Sequence, residues 1–345
     1  MNIVDNVSLA DHSTMGLGGV AAHLVEVHDR MEVLEALTWA QTRNLPVIMI
    51  GSGSNIVWRD EGFPGLVIVN AIKGFELFEE DATNSYVTIG AGENWDSVVE
   101  RTVAAGLSGI EALSLIPGTA GATPVQNVGA YGQEISQTLT TLEAFDVEAR
   151  DFVTLRGSDC GFSYRDSRFK SADRGRFYIT GITIHLQKTK PAPPYYTSVQ
   201  AYFDEHGITE VTPSVLRQAV IAIRQSRLPD PATVRNNGSF FANPIIAAGD
   251  IVQLRAQYPE LPGWTLPDGN VKVPAAWLIE QAGFKDMHDP ETGMATWGAQ
   301  PLVLVNEHAR STADLLAFKR KIVGAVEAKF GITLAQEPEL LPLTP

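Results

Sequence analysis

The stretch at 116–134, IPGTAGATPVQNVGAYGQE, most constrains what this chain can fold into, because it holds four glycines and almost no charge. Glycine lets main-chain N–H groups approach a phosphate or ring oxygen closely, since it has no side chain and tolerates dihedral angles that other residues avoid. The alternative is a long irregular loop that uses glycine for turns and Asn or Gln to satisfy its own backbone.

Two further glycine-rich loops precede this stretch. The sequence GSGSN at 51–55 follows a predicted buried strand at 47–50, and GAGENW at 90–95 follows a predicted strand at 86–89 and opens a helix through Ala104. Three such loops, each after an apolar run, favour an extended dinucleotide lying along them. None continues into the Gly-Lys-Ser or Gly-Lys-Thr of a P-loop.

A Gly-x-Gly-x-x-Ala pattern at 16–21 formally fits a dinucleotide fingerprint. That motif works only between a buried strand and a helix, and the preceding DHSTM does not predict a strand. We therefore expect no Rossmann site there.

Other elements follow from periodicity and capping residues. We predict strands at 24–27, 66–69, 178–186 and 301–306, and helices at 213–227 and 273–282. Asp29 is expected to cap a helix, and Ser311 with Asp314 resembles a capping box at the start of another.

The composition excludes several functional classes. A formal charge of −14 and a pI near 4.9 argue against generic nucleic-acid binding. The single cysteine, Cys160, leaves no internal disulfide framework and fits a reducing compartment. No secretory signal is visible, no apolar run approaches the roughly 20 residues of a membrane helix, and the histidines show no metal-binding spacing. We expect a cytoplasmic protein without a bound metal.

On spacing alone, several polar residues are expected to have ordinary structural roles. Arg165, in the turn-prone segment 163–170, is expected to form an ion pair with Asp166 or Asp173. Glu339 is expected to be a solvated residue of the C-terminal tail. Ser239, which follows Gly238 in a loop, is expected to have a structural role. The proline-rich basic segment 188–196 predicts either a stiff linker or a lid.

Taken together, these motifs resemble the UDP-N-acetylenolpyruvoylglucosamine reductase family, flavoenzymes that make UDP-N-acetylmuramate for bacterial peptidoglycan. The resemblance covers nearly the whole chain and rests on the order and spacing of segments 51–55, 90–95, 116–134, 163–170, 238–244, 275–285 and 337–339.

The resemblance implies an α+β protein with an FAD-binding portion of the vanillyl-alcohol-oxidase type in two subdomains. They are expected at 1–72, joined by the tail at 333–345, and at 73–228. An α+β substrate-binding domain is expected at 229–332. The resemblance also implies that the tail returns towards the flavin and that the chain acts as a monomer.

The family's reaction proceeds in two halves. NADPH reduces non-covalently bound FAD and leaves, and UDP-N-acetylenolpyruvoylglucosamine then enters the same site. Reduced flavin N5 delivers hydride to C3 of the enolpyruvyl group, and a proton reaches C2. By resemblance, Ser239 matches the proton donor, while Arg165 and Glu339 match the pair that stabilises the enol-like intermediate.

The family's binding residues carry over in the same way. The FAD contacts would be Gly51, Ser52, Gly53, Ser54, Asn55, Gly118, Thr119, Ala122, Thr123 and Gln126. The substrate contacts would be Tyr131, Tyr196, Arg224, Arg227, Asn243, Lys272 and Gln300. Tyr196 matches the tyrosine of the loop that folds over the substrate in the longer of the family's two subtypes.

This sequence departs from the family pattern in two places. Ala242 stands where the family often has lysine, and Leu334-Ala-Gln-Glu337 replaces the usual Leu-Glu before Pro-Glu. The alternatives are an FAD-dependent sugar or alcohol oxidase of the same fold and a non-enzymatic UDP-sugar binding protein.

Overall fold

The structure is a computed structural model that describes residues 1–343, so the last two positions of the predicted tail at 333–345 lie outside it. Its helices are α1 (Arg30–Gln41), α2 (Trp95–Ala104), α3 (Thr197–Glu205), α4 (Pro213–Arg227), α5 (Ala248–Gln257), α6 (Ala275–Gln281) and α7 (Thr312–Phe330). None of the helices in this range combines the length and apolar character needed to cross a membrane.

The strands are short and spread over the whole chain. They are β1 (Ile3–Ser8), β2 (Val20–Val27), β3 (Val47–Ile50), β4 (Ile56–Trp58), β5 (Phe63–Asn70), β6 (Phe75–Glu79), β7 (Asn84–Gly90), β8 (Gly129–Ala130), β9 (Gln133–Glu134), β10 (Leu139–Asp146), β11 (Asp151–Arg156), β12 (Phe177–Gln187), β13 (Asn236–Ser239), β14 (Ile245–Ile246), β15 (Trp264–Thr265), β16 (Val271–Lys272), β17 (His288–Asp289), β18 (Met294–Trp297), β19 (Gln300–Asn306) and β20 (Glu339–Leu341).

The chain divides into two compact units, each made of separate stretches. The first unit comprises Met1–Val7, Ala21–Ser52 and Phe63–Ser226. The second unit comprises Ser8–Val20, Gly53–Gly62 and the chain from Arg227 onward. The predicted loop at 51–55 therefore contributes its first two residues to one unit and its last three to the other.

Besides the short antiparallel pair of β8 and β9, the first unit contains two sheets. One has the order β1-β2-β5-β3, in which β2 and β3 each pair with β5 in parallel. The other has the order β11-β10-β12-β7-β6 and is antiparallel throughout. Helix α2 covers the second sheet with buried Trp95, Val98 and Val99. Helix α2 begins directly after the glycine-rich loop that follows β7, so this packing fixes that loop.

The second unit is built on an antiparallel sheet of order β13-β19-β18-β17. Helices α6 and α7 contribute Leu278, Phe318 and Ile322 to its core, where all three are fully buried. A small sheet of order β14-β16-β15 and a parallel pair formed by β20 and β4 complete it.

Most elements predicted from local patterns are confirmed. Asp29 caps α1 by accepting a hydrogen bond from Glu32 N at 2.9 Å, and Ser311 with Asp314 forms the capping box of α7. The strand predicted at 47–50 and the helices predicted at 95–104 and 213–227 have the expected bounds. The fingerprint-like pattern at 16–21 runs into strand β2 rather than a helix, which confirms that it is not a Rossmann turn.

The helix predicted at 273–282 is wrong at its start. Val273 lies outside α6, and its N–H donates to Pro244 O at 2.9 Å. The reason is Pro274, because a proline disfavours helical dihedral angles in the residue before it.

Candidate functional site

Three glycine-rich segments meet in the first unit. Gly51 lies against Thr119 so closely that a Cβ on Gly51 would stand 2.3 Å from Thr119 Oγ1. Gly121 N donates to Ala91 O at 2.9 Å, and Trp95 N donates to Gly118 O at 3.1 Å. The main chain itself therefore forms this surface, as close approach to a ligand requires.

The remaining predicted cofactor residues of this loop hold the loop together. Thr123 is buried, and its Oγ1 donates to Ala120 O at 2.7 Å. Ala122 N donates to Thr119 O at 3.0 Å. Gln126 Oε1 accepts a long bond of 3.5 Å from Lys170 Nζ, which links the loop to segment 163–170. Ser52, in the loop at 51–55, is exposed at the end of the stretch Ala21–Ser52 of the first unit.

Asn127 organises the site, although its role was not predicted. Its buried amide Nδ2 donates to Glu134 Oε2 at 2.8 Å and to Ser163 O at 3.1 Å, while its Oδ1 accepts from Ser136 N at 3.1 Å. One side chain thus ties the glycine-rich loop to the segment that carries Arg165. The signal available in the sequence was an asparagine within a glycine-rich loop, where an amide side chain can satisfy backbone groups.

Arg165 is oriented by the glycine-rich loop. Its Nη2 donates to Gly129 O at 2.8 Å, and a Cβ on Gly129 would stand 3.4 Å from Nη1. Asp173, one of the two ion-pair partners that spacing suggests for Arg165, forms an ion pair with Arg168, with Nε 2.6 Å from Oδ2.

Four non-glycine residues of this region adopt left-handed backbone angles. The φ values are 58° at Leu115, 48° at Asn127, 48° at Tyr131 and 57° at Arg165. Such angles are sterically costly for residues with a Cβ, and they persist only where the surrounding structure enforces them. Their concentration in one region indicates a functional site rather than an ordinary connection.

Tyr131, Tyr196 and Arg224 form a cluster in the first unit. The two tyrosine rings pack edge to face with centroids 5.6 Å apart, and the Tyr131 hydroxyl group bonds the Arg224 guanidinium. Burial lowers the pKa of Arg224, and Tyr131 and Asp96 partly oppose this effect. Tyr195 instead packs its ring against Phe203.

In the second unit, Gly53 and its neighbours are held by a second buried amide. Gly53 has φ 74°, and a Cβ there would stand 2.2 Å from His12 O. Asn237 Nδ2 donates to Ser54 O and Ile56 O, each at 3.2 Å, and to Thr14 Oγ1 at 3.0 Å. Asn237 was not predicted as a site residue either.

Ser239 and Glu339 lie on neighbouring segments of the second unit. Ser239 ends β13, and the next residue, Phe240, accepts a hydrogen bond from Glu337 N at 2.9 Å. Glu339 begins β20, and its N–H donates to Asn55 O at 3.0 Å. The interpretation of Glu339 as a solvated tail residue is therefore wrong, because β20 pairs in parallel with β4.

The other predicted substrate residues of the second unit occupy separate elements. Asn243 Oδ1 accepts from Ala275 N at 2.9 Å and so satisfies a free N–H at the start of α6. Lys272 lies on β16 with Nζ 5.9 Å from the centre of the Trp264 ring. Gln300 begins β19, and Arg227 is exposed at the end of α4.

Comparisons with known proteins match both parts of the chain. A family model described as an FAD binding domain matches residues 21–150, and one described as the C-terminal domain of UDP-N-acetylenolpyruvoylglucosamine reductase matches residues 230–341. The reductase of that name from Alcanivorax borkumensis is 42% identical over 98% of this chain and 96% of its own length. The one from Pseudomonas putida is 40% identical over 97% and 98%.

A solved structure has the same fold. The crystal structure of UDP-N-acetylenolpyruvylglucosamine reductase from Thermus caldophilus matches with a TM-score of 0.66 and 23% identity, covering 99% of this chain and all of that one. The α+β class and the FAD-binding fold of the vanillyl-alcohol-oxidase type are thereby confirmed. With two relatives near 40% identity over almost the whole length, the chain belongs to the UDP-N-acetylenolpyruvoylglucosamine reductase family of FAD-dependent oxidoreductases.

Proposed function

We propose that this protein binds FAD non-covalently and uses NADPH to reduce UDP-N-acetylenolpyruvoylglucosamine to UDP-N-acetylmuramate, acting as a monomer in the cytoplasm. One observation carries the proposal. In the second unit, direct backbone hydrogen bonds join the segment of Ser239, the segment of Glu339 and the glycine-rich loop at Asn55, which are far apart in sequence. We assign FAD binding to 1–72 with the tail and to 73–228, and substrate binding to 229–332.

The glycine-rich loops fit an extended dinucleotide. Segments 51–55 and 116–123 contain no acidic residue, so nothing on them repels a diphosphate. Gly51 and Gly53 each stand where a Cβ would collide with a neighbour, which leaves main chain as the contact surface. FAD bound there and reduced by NADPH would supply the hydride for C3 of the enolpyruvyl group.

Arg165 stabilises the negative charge that hydride addition pushes into the substrate carboxylate. A guanidinium stays cationic and binds a carboxylate through two parallel hydrogen bonds. The bond from Nη2 to Gly129 O fixes its orientation before the substrate arrives. A group that is already oriented stabilises the transition state more than the ground state.

Ser239 donates the proton to C2. A serine hydroxyl is a weak acid, so it serves only when the accepting carbon is strongly basic and well placed. The pairing of Ser239 with Val303 of β19 gives it a fixed position. Glu339, held by Asn55 O, stabilises the enol-like intermediate by hydrogen bonding. The binding contacts are Tyr131, Tyr196, Arg224, Arg227, Asn243, Lys272 and Gln300.

The test is an anaerobic stopped-flow absorbance experiment on the flavin-loaded protein. NADPH should bleach the flavin band, and the enolpyruvyl substrate should restore it without oxygen. In Ser239→Ala, we expect bleaching within about twofold of the wild type and recolouring slowed by about 10³-fold, as for loss of a general acid.

Three outcomes would count against the proposal. Equal loss of both half-reactions in Ser239→Ala would remove the proton-donor role. Bleaching that only oxygen reverses would identify an oxidase. A protein without a flavin band after purification and FAD addition would instead be a UDP-sugar binding protein.

A further inference from the structure

Asp96, in the first turn of α2, joins two separate parts of the first unit. Arg217 Nη1 and Nη2 donate to Asp96 Oδ1 and Oδ2 at 2.6 and 3.0 Å. Leu115 N donates to the same Oδ1 at 2.5 Å. Arg217 is buried, with 8% of its surface exposed, so this ion pair is shielded from solvent. Burial alone would raise the pKa of Asp96, but these donors hold it below its usual value.

The contact with Leu115 reaches the glycine-rich loop. Leu115 has the costly left-handed φ of 58° directly before that loop. The neighbour of Asp96, Trp95, donates its N–H to Gly118 O. Two consecutive residues of α2 therefore fix the chain on either side of Ile116 and Pro117.

The contact with Arg217 reaches the cluster around Arg224. The two arginines are seven residues apart on α4, which places them on one face of the helix two turns apart. Asp96 interacts electrostatically with Arg224 as well as with Arg217. Among residues 1–343, Arg224 Nε has no hydrogen-bond partner. One carboxylate thus interacts electrostatically with two arginines, and Arg217 donates to both of its oxygens.

We infer that Arg217 is a positioning residue: it engages Asp96 so that this carboxylate does not pair with Arg224, whose guanidinium is left for an anionic group of the nucleotide substrate. The inference rests on the proposed function, which assigns Arg224 to substrate binding. Without Arg217, Asp96 would be a partly buried carboxylate with one remaining cationic neighbour, and the two would attract each other strongly.

The test is a double-mutant cycle on the flavin-loaded enzyme. In Arg217→Met, we expect KM for the enolpyruvyl substrate to rise about tenfold, the effect of one weakened charged hydrogen bond, with kcat within about twofold. In Asp96→Asn/Arg217→Met, the competing charge is absent, and KM should return to within about threefold of the wild type. In an Arg224→Gln background, Arg217→Met should leave KM unchanged.

A purely structural role predicts a different pattern, because the double variant would then be at least as impaired as Arg217→Met. That result, or an equal fall in kcat, would overturn the inference. Arg217→Lys keeps one cationic partner for Asp96 and should bind like the wild type, so it serves if Arg217→Met does not fold. Thermal denaturation of each variant identifies folded protein.

Titration calorimetry with uridine 5′-diphosphate separates this inference from the proposed function. Binding by the wild type, weakened in Arg217→Met and restored in the double variant, supports both. Binding that does not change across the cycle contradicts the inference alone. A wild-type protein that neither binds uridine 5′-diphosphate nor reduces the substrate contradicts both.

Discussion

Two buried asparagines, Asn127 and Asn237, hold the glycine-rich segments of their units in place. Each uses its amide to satisfy groups on separate stretches of chain. Backbone carbonyls buried without a donor cost free energy, so a loop built from glycine needs such partners. The glycines permit close approach to a ligand, and the asparagines supply the rigidity that glycine lacks.

Asn237→Leu should therefore destabilise the protein and weaken FAD binding together. The change removes the donor for Ser54 O and Ile56 O while keeping a similar volume. We expect a loss of about 2 kcal/mol in the free energy of unfolding and a higher FAD dissociation constant. Denaturant titration and flavin fluorescence measure the two effects. The control is Asn270→Leu, since Asn270 Nδ2 donates to Asp268 Oδ2 in an exposed turn; equal effects from both variants would refute this role.

Gly129→Ala should impair the substrate half-reaction selectively. A Cβ at this position would stand 2.7 Å from Glu134 Cγ and 3.1 Å from Gln133 O, so the backbone at Gly129, whose carbonyl oxygen accepts from Arg165 Nη2, would have to shift. Misplacing a charge-stabilising group costs roughly 10²-fold in rate. Single-turnover reoxidation by the substrate should slow accordingly, while reduction by NADPH stays close to the wild type. Gly249→Ala, where a Cβ would meet nothing within 4 Å, is the matched control.

Individual site residues could be predicted from the sequence only in part. Arg165, Ser239 and Glu339 are predicted as site residues through family resemblance, because their spacing alone favours ordinary roles. The pair Asp96 and Arg217 gave no local signal, since its members are 121 positions apart and only the fold brings them together. The left-handed backbone angles of Leu115 and Tyr131 could not be predicted from the sequence either, because neither residue type favours such angles.

Whole elements were more predictable wherever a local cause sets their bounds. A few residues close together in sequence determine the caps of α1 and α7 and the apolar face of α2. Strand β10 and helix α5 were not predicted. Strand β10 pairs with β11 on one side and β12 on the other, and this tertiary context, more than its own sequence LTTLEAFD, makes it a strand.

Two variants of strand β20 can separate the contribution of the whole strand to stability and FAD binding from the contribution of the Glu339 side chain to substrate reduction. Its pairing with β4 is reinforced by Arg59, whose N–H and Nε donate to Leu341 O and Pro342 O. A variant ending at Pro338 loses the strand, and we expect a lower melting temperature and lost FAD. Glu339→Gln keeps the strand and should retain the melting temperature and the flavin while substrate reduction slows. Loss of flavin in Glu339→Gln would show that the side chain itself supports the fold.

At the scale of the molecule, the fold class was predictable through resemblance, but the division into units was not. Both units combine stretches that are distant in sequence, and no compositional change marks the crossings at 7–8, 20–21, 52–53, 62–63 and 226–227. The domain bounds at 72, 228 and 332 remain predictions.

Stability should fall as the pH rises from 9 to 12. Burial raises the pKa of Cys160 from 9.0 to about 11 and that of Tyr178 from 10.0 to about 12. Both groups ionise first in the unfolded chain, so unfolding becomes more favourable as the pH increases. Each shift corresponds to roughly 2–3 kcal/mol, which is fully present below pH 9 and 10 respectively.

Denaturant titrations at several pH values measure this dependence. Cys160→Ala should flatten the curve between pH 9 and 11, and Tyr178→Phe should flatten it between pH 10 and 12. An unchanged slope in both variants would assign the alkaline loss to general charge repulsion.

The discontinuous second unit has a consequence for how the protein is made. Its segments Ser8–Val20 and Gly53–Gly62 leave the ribosome well before the chain from Arg227 onward. Until that later part is synthesised, the early segments expose apolar side chains that are buried against it in the folded protein, namely Met15, Leu17 and Val57. Contacts between residues so far apart in sequence form slowly, and apolar segments that stay exposed in the meantime promote aggregation. Folding yield in the cell should therefore depend on chaperones that shield the early segments until the second unit can close.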